Sequence, residues 1–245
     1  MDDSSGAAQK LHAATVSVSV NVLLLTTKII VGVATGSLGI LAEAAHSLLD
    51  LLASGFAYTG IRAANRPLDE EHPYGHEKFE NFSSLVQTAL LGVTSIWIFY
   101  EAGLRLLTGS TIQVNNTLYY AIVIMVFAII ADFGVSRYLF QNARKYGSSA
   151  LETDAYHFST DIYSSAAVLL GLVAVKFGYV VVDPLAAIFV AIIMLTTSVR
   201  LGRKTTQVLL DAAPPKEITS KIRDVITDNR DITDFHSLRA RQAGS

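Results

Sequence analysis

Two pairs of residues share the same spacing: His46 with Asp50, and His157 with Asp161. Residues at i and i+4 lie on one face of a helix. On helices, each pair therefore presents one imidazole and one carboxylate in one direction, a turn apart. Two such faces brought together supply two nitrogens and two oxygens, a donor set and number that suit a tetrahedral zinc ion. Charge points the same way, because two carboxylates carry −2, which a divalent cation cancels while both imidazoles stay neutral. Without a metal, two ionised carboxylates in low-dielectric surroundings are costly. Protons are then the expected occupants, and metal binding has to displace them. The pattern predicts a metal site in which metal and protons compete. A single His–Asp pair can serve merely to pack helices; two pairs of identical spacing are harder to read that way.

The elements that must carry these pairs are apolar. Of the 245 residues 51% are hydrophobic and 16% charged, against roughly 25% charged in a soluble domain. The stretches Ser84 to Tyr100, Leu118 to Ile130 and Ala166 to Val175 hold no charge, and Val16 to Val33 holds only Lys28. A membrane helix needs about 20 mostly apolar residues. The sequence predicts an all-α membrane protein with helices over about 12–34, 38–63, 79–107, 116–142, 149–177 and 183–209. The second would carry Glu43, His46 and Asp50; the fifth would carry Asp154, His157 and Asp161. Ionisable groups at bilayer depth cost about 2.5–3.5 kcal/mol each on insertion scales and are read by default as functional. Glu43 and Asp154 each lie three residues before a candidate histidine, where they can orient imidazoles or face a water-filled vestibule. Asp132 falls in the fourth helix; Asn21 and Lys28 are expected to bond neighbouring helices. Trp97, Tyr100, Tyr119 and Tyr120 read as interfacial anchors.

Basic residues fix the expected sidedness. Lys10, Arg62, Arg66, Lys78, Arg137, Arg144, Lys145, Arg200, Arg203 and Lys204 gather on one side, with little beyond Lys176 and Arg105 on the other. Both termini are then cytoplasmic. Met1 to Lys10 lacks the features of a removable signal peptide. A net charge of −2 gives no reason to expect nucleic acid, and the lack of cysteine excludes thiolate sites and disulfides. No HExxH motif occurs, and four protein ligands leave no open coordination position, so a zinc hydrolase is not expected.

After Asp211 the pattern changes. Pro214-Pro215 should stop the sixth helix, and Lys216 to Asp228 reads as an amphipathic helix with Ile218, Ile222, Val225 and Ile226 on one stripe. Phe235 to Ala240 is expected to begin a strand. Residues 1–11 are thus expected to form a cytoplasmic N-terminal segment, 12–210 a six-helix transmembrane domain, and 211–245 the start of a cytoplasmic domain that is cut short.

These segments resemble the cation diffusion facilitator family of six-helix, proton-coupled zinc transporters. The likeness rests on AEAAHSLLD from Ala42 to Asp50, RPLDEEHPYGHEKFE from Arg66 to Glu80, and TDAYHFSTD from Thr153 to Asp161, together with Asn21, Lys28 and Asp183-Pro184. It implies a secondary active transporter that exports a divalent metal, foremost zinc (Zn2+), from the cytoplasm in exchange for protons. A broader-range exporter of Fe2+, Co2+, Cd2+, Ni2+ or Mn2+ is the alternative. By the resemblance, His46, Asp50, His157 and Asp161 are the transport ligands, and histidine at the first of these positions goes with zinc selectivity. Asp69, His72 and His76 match a second, loop zinc site, to whose mouth Glu70, Glu71 and Glu77 would attract cations. Lys78 and Asp211 match a pair at the junction of a homodimer. The family's cytoplasmic domain is a ferredoxin-like α/β fold, and His236 resembles one ligand of its metal site. An inner (plasma) membrane of a bacterium is the expected location.

Overall fold

Long apolar stretches without prolines leave the backbone one way to satisfy its hydrogen bonds in lipid, which is helix. The computed structural model describes residues 3–35, 38–108, 118–177, 179, 181–229 and 232–242. Six long helices follow one another: α1 (Asp3–Thr35), α2 (Leu38–Ala64), α3 (Lys78–Thr108), α4 (Leu118–Tyr146), α5 (Ser149–Lys176) and α6 (Val182–Leu209). A short α7 (Lys216–Asp228) comes after Pro214-Pro215. The expected turns at Gly36 and at Thr108 to Asn116 lie outside, or almost wholly outside, the described residues.

α1 starts well ahead of residue 12 because tertiary contacts hold its first turns. Gly6 packs on the Tyr146 ring of α4, 3.5 Å from where a Cβ would stand. Asn65 donates to the Ala7 carbonyl, and Lys10 reaches Glu80. α4 likewise runs on to Tyr146, past residue 142.

Among the described residues, four stretches are long and apolar enough to cross a membrane: Gly6–Val31, Lys78–Thr108, Ile122–Tyr146 and Pro184–Leu209. They belong to α1, α3, α4 and α6. α2 and α5, of 27 and 28 residues, match them in length but carry the ionisable candidates. α2 packs on α1 and α3, α5 on α4 and α6, and α2 and α5 also touch each other. The two helices that hold the chemistry are therefore lined by the four apolar ones.

Large apolar side chains point outward. Ile30, Val93, Ile130, Leu170 and Phe189 are all more than half exposed, as are the expected anchors Trp97 and Tyr100; the side chains of Tyr119 and Tyr120 lie outside the described residues. Small and polar residues point inward instead, among them Ala13, Ala14, Ala53, Ala57, Ala150 and Ala155. Small residues let helix backbones approach closely in lipid, where no hydrophobic effect drives helices together. Gly60 shows how close: a Cβ there would sit 2.2 Å from that of Ser83, so α2 and α3 touch only because residue 60 has none.

The C-terminal expectation divides. α7 forms as the apolar stripe predicts, with no buried residue. The strand at Phe235 to Ala240 does not form, and no strand occurs among the described residues, so the expected ferredoxin-like α/β element is corrected to helix followed by irregular chain. Ser237 at φ 57° lies in the left-handed region, which breaks an extended run. An isolated segment also has no neighbour to complete a ladder.

Candidate metal centre

The i, i+4 spacing does on each helix what the sequence suggests. Asp50 Oδ1 lies 3.0 Å from His157 Nε2 and 3.8 Å from His46 Nε2. Asp161 offers Oδ1 at 4.0 Å from His46 Nε2 and Oδ2 at 3.7 Å from His157 Nε2. Each imidazole thus faces both carboxylates, one from its own helix and one from the other. Ligands about 2.0 Å from a tetrahedral zinc stand about 3.3 Å apart; His46, Asp50 and Asp161 each bring a ligand atom within 4.8 Å of the others, whereas His157 stands outside that group and approaches only the two carboxylates. Asp161 Oδ1 and His157 Nδ1 are buried without a hydrogen-bond partner among the described residues. His157 and Asp50 are nearly enclosed, whereas the His46 side chain is 26% exposed, so the centre opens on the His46 side.

Neighbouring polar groups brace this geometry. Asn21 of α1 donates to the Ser54 hydroxyl at 2.6 Å and reaches the Asp50 carbonyl at 3.5 Å. Asp154 is fully buried and accepts Ser17 Oγ at 2.5 Å and Ser54 Oγ at 2.9 Å. Those bonds tie α5 to α1 and α2 one turn from His157, and they use both Asp154 oxygens. Of the two roles open to Asp154, neither fits: it locks helices rather than holding an imidazole or lining a vestibule. The Glu43 side chain lies outside the described residues. Lys28 donates to Ser47, next to His46, at 2.8 Å. Asp132 is buried on α4 and interacts electrostatically with Asp161, Lys28, Asp50 and His157.

A second cluster forms between α2 and α3. Asp69 Oδ1 accepts the His72 backbone N–H at 2.7 Å and lies 3.3 Å from His72 Nδ1; Oδ2 is 3.2 Å from His76 Nε2. The chain turns through Gly75, whose φ of 91° would strain any residue with a Cβ. This turn brings the His72 and His76 rings to 4.4 Å. The His72 backbone N–H, and then the neighbouring imidazoles, hold the Asp69 carboxyl below the usual carboxylate range. His76 is buried and stacked on Phe79, with Nδ1 lacking a partner. Two imidazoles and an ionised carboxylate converging in a loop are a donor set that fits zinc; the rings cap nothing, since the α3 start is closed by backbone bonds from Phe79 and Glu80.

At the end of α6, Asp211 Oδ1 accepts Lys78 Nζ at 2.7 Å and Oδ2 accepts Arg241 at 3.1 Å. The Lys78 hydrogen bond is the main reason that the Asp211 carboxyl sits below its ordinary value. Arg241 also lies over the Tyr74 ring, 4.9 Å from its centroid. His236 is exposed and belongs to no group of three or more metal-ligand residues among the described residues.

Sequence reasoning missed two groups. One is Ser17 and Ser54, whose hydroxyls satisfy Asp154; serines facing a buried acid were the available signal. The other is Glu80, which is 2% exposed and bonded to Lys10 of α1, to Ser148 and to the start of α5.

Helices that bury their polar residues, expose their apolar ones and bring two His–Asp pairs together between α2 and α5 define a membrane protein with His/Asp groups that could hold a metal ion. Residues 14–210 match the cation efflux transmembrane domain, and the chain belongs to the cation efflux (cation diffusion facilitator) family. It is similar to the cation-efflux pump FieF of Shewanella oneidensis, 31% identical over 232 residues that cover 95% of this chain and 77% of that one. It is 30% identical over 228 residues to an uncharacterised transporter of Methanocaldococcus jannaschii, covering 91% and 78%. With metal tolerance protein C1 of Arabidopsis thaliana it shares 32% identity over 236 residues, 91% of this chain and 50% of that one. The chain is thus an integral membrane cation-efflux transporter of divalent metal, and not an enzyme.

Proposed function

We propose that the transported ion is Zn2+ and that it leaves the cytoplasm in exchange for protons. The observation that carries this reading is that each imidazole, one from α2 and one from α5, lies 3.0 to 4.0 Å from both carboxylates. His46, Asp50, His157 and Asp161 bind the ion, and α2 and α5 cross the membrane with the other four helices. The imidazoles favour zinc over cations that prefer oxygen alone. Binding requires neutral imidazoles and ionised carboxylates, so each ion that enters expels protons, and each proton that enters helps to expel an ion. Alternating access around the α2–α5 centre then converts a proton gradient into metal export.

Asp69, His72 and His76 hold a second zinc ion at the cytoplasmic mouth, where Glu70, Glu71 and Glu77 concentrate cations. Both termini face the cytoplasm of a bacterial inner membrane. The chain works as a homodimer whose junction uses Lys78 and Asp211. The same donor set also admits Fe2+, Co2+ and Ni2+, so a broader exporter, extending to Cd2+ and Mn2+, is the second reading.

Metal flux into proteoliposomes under an imposed pH gradient tests both, run in parallel with Zn2+, Cd2+, Mn2+, Fe2+, Co2+ and Ni2+. The proposal expects zinc to accumulate fastest, and to do so only when protons can flow the other way. Zinc flux indifferent to the proton gradient would exclude exchange; equal rates for all the metals would favour the broader reading.

A further inference from the structure

Glu80 lies outside both metal clusters yet accepts hydrogen bonds from Lys10, Ser148 and Ala150. Its side chain, on the first turn of α3, is 2% exposed. Oε2 accepts Lys10 Nζ of α1 at 3.3 Å. Oε1 accepts the Ser148 hydroxyl, in a short contact, and the Ala150 backbone N–H at 3.4 Å. Ser148 Oγ in turn accepts the Leu151 N–H at 3.2 Å. Glu80 and Ser148 together therefore cap the N-terminus of α5, where exposed backbone N–H groups and the helix dipole favour a carboxylate.

The register of α3 and α5 gives this contact its meaning. On one side His76, Glu80 and Ser84 are spaced by four residues, leading from the loop cluster into α3. On the other, Thr153, His157 and Asp161 are spaced by four, leading to the central site. The two rows join where Ser84 Oγ lies 2.5 Å from Thr153 Oγ1, and Ser84 Oγ is also 3.3 Å from Thr205 Oγ1 of α6; Glu80 meets Ser148 and Ala150, just ahead of the second row. His76 is buried one turn before Glu80, and the Phe79 N–H bonds its carbonyl at 2.9 Å. A shift of His76 is thus carried through its carbonyl to Phe79, the chain neighbour of Glu80, and by Glu80 to the start of the helix that bears two of the four transport ligands.

We infer that Glu80 is a positioning residue that couples the loop cluster to the central site: metal held by Asp69, His72 and His76 sets the placement of His157 and Asp161 through the Glu80 clamp on α5. This rests on the reading of the two clusters as metal sites. Lys10 holds the same carboxylate from α1, so the clamp joins α1, α3 and α5 at one end of the bundle.

A double-mutant cycle on the whole chain in proteoliposomes tests it, with zinc flux measured against zinc concentration under a fixed pH gradient. His72→Ala, Glu80→Gln and Ser148→Ala are each expected to raise the KM for zinc about fivefold, the scale of an ordinary coupling between sites. Ser148→Ala removes only one hydroxyl and leaves the Lys10–Glu80 pair, so it guards against a folding defect in Glu80→Gln. The doubles His72→Ala/Glu80→Gln and His72→Ala/Ser148→Ala are expected to be no worse than the worse single, because the link is already cut. Doubles in which the single effects multiply, to about 25-fold, overturn the coupling. So does a His72→Ala chain whose KM is unchanged. If the unmutated chain moves no zinc at all, the reading of the sites fails and the coupling with it; if zinc moves and the doubles multiply, the coupling alone fails.

Discussion

His46 is the most open of the four central donors, and its ring supplies one of only two nitrogens. Replacing it with aspartate shortens the side chain and exchanges a directional nitrogen for oxygen. The site becomes wider and harder, which suits larger or oxygen-preferring ions better. His46→Asp is therefore expected to lower the preference for Zn2+ over Cd2+ and Mn2+ by about tenfold, equivalent to about 1.4 kcal/mol of differential binding. Competition between the metals for flux measures it; an unchanged zinc-to-cadmium ratio would count against ligand chemistry as the source of selectivity. At this scale the sequence was most legible. His46, Asp50, His157 and Asp161 were visible because spacing alone defines a helix face. Asp154 was equally visible but not interpretable, since its role depends on Ser17 and Ser54, which lie 137 and 100 residues away.

At the scale of elements, α2 must come close to α3 on one side and to α5 on another. Gly60 and Gly55 lie on this one helix in opposite surroundings. At Gly60 an added Cβ meets Ser83 at 2.2 Å, whereas at Gly55 it meets nothing within 4 Å. Gly60→Ala forces α2 and α3 apart and is expected to destabilise by about 1–3 kcal/mol, the usual cost of overpacking. Gly55→Ala is expected to be neutral or to stabilise by up to about 1 kcal/mol, the helix propensity gained. Thermal unfolding of the detergent-solubilised variants distinguishes them, and a Gly60→Ala chain as stable as Gly55→Ala would contradict the close approach. Helix number and order followed from hydropathy. The start of α1 did not, because its first turns depend on Tyr146, Asn65 and Glu80 rather than on their own residues. The expected strand failed for a similar reason: residues 235–240 have no neighbouring strand among the described residues, and Ser237 takes a left-handed turn.

For the molecule as a whole, the Lys78–Asp211 contact ties the start of α3 to the end of α6, where the chain leaves the membrane domain. Its pH dependence has a definite sign. Lys78 and Arg241 depress the Asp211 pKa, so the contact contributes fully above the ordinary carboxylate value and is lost as pH falls through the lowered one. Between about pH 5 and 8 it is constant. Asp211→Asn removes the charge at every pH, and is expected to speed amide hydrogen exchange at Leu210, Asp211 and Ala212, whose N–H groups close the end of α6. Exchange there that is equal in the variant and the unmutated chain at pH 7 would show the contact to be dispensable.

The whole account turns on the four-donor centre carrying the ion. The most direct measurement is uptake of radioactive zinc by sealed vesicles under an imposed pH gradient, comparing the unmutated chain with His157→Ala. His157 is the most enclosed of the four donors and faces both carboxylates, at 3.0 and 3.7 Å, so no neighbour can replace its nitrogen. Loss of uptake to the background of protein-free vesicles is the predicted result. Full uptake by the His157→Ala chain would contradict the assignment of the centre.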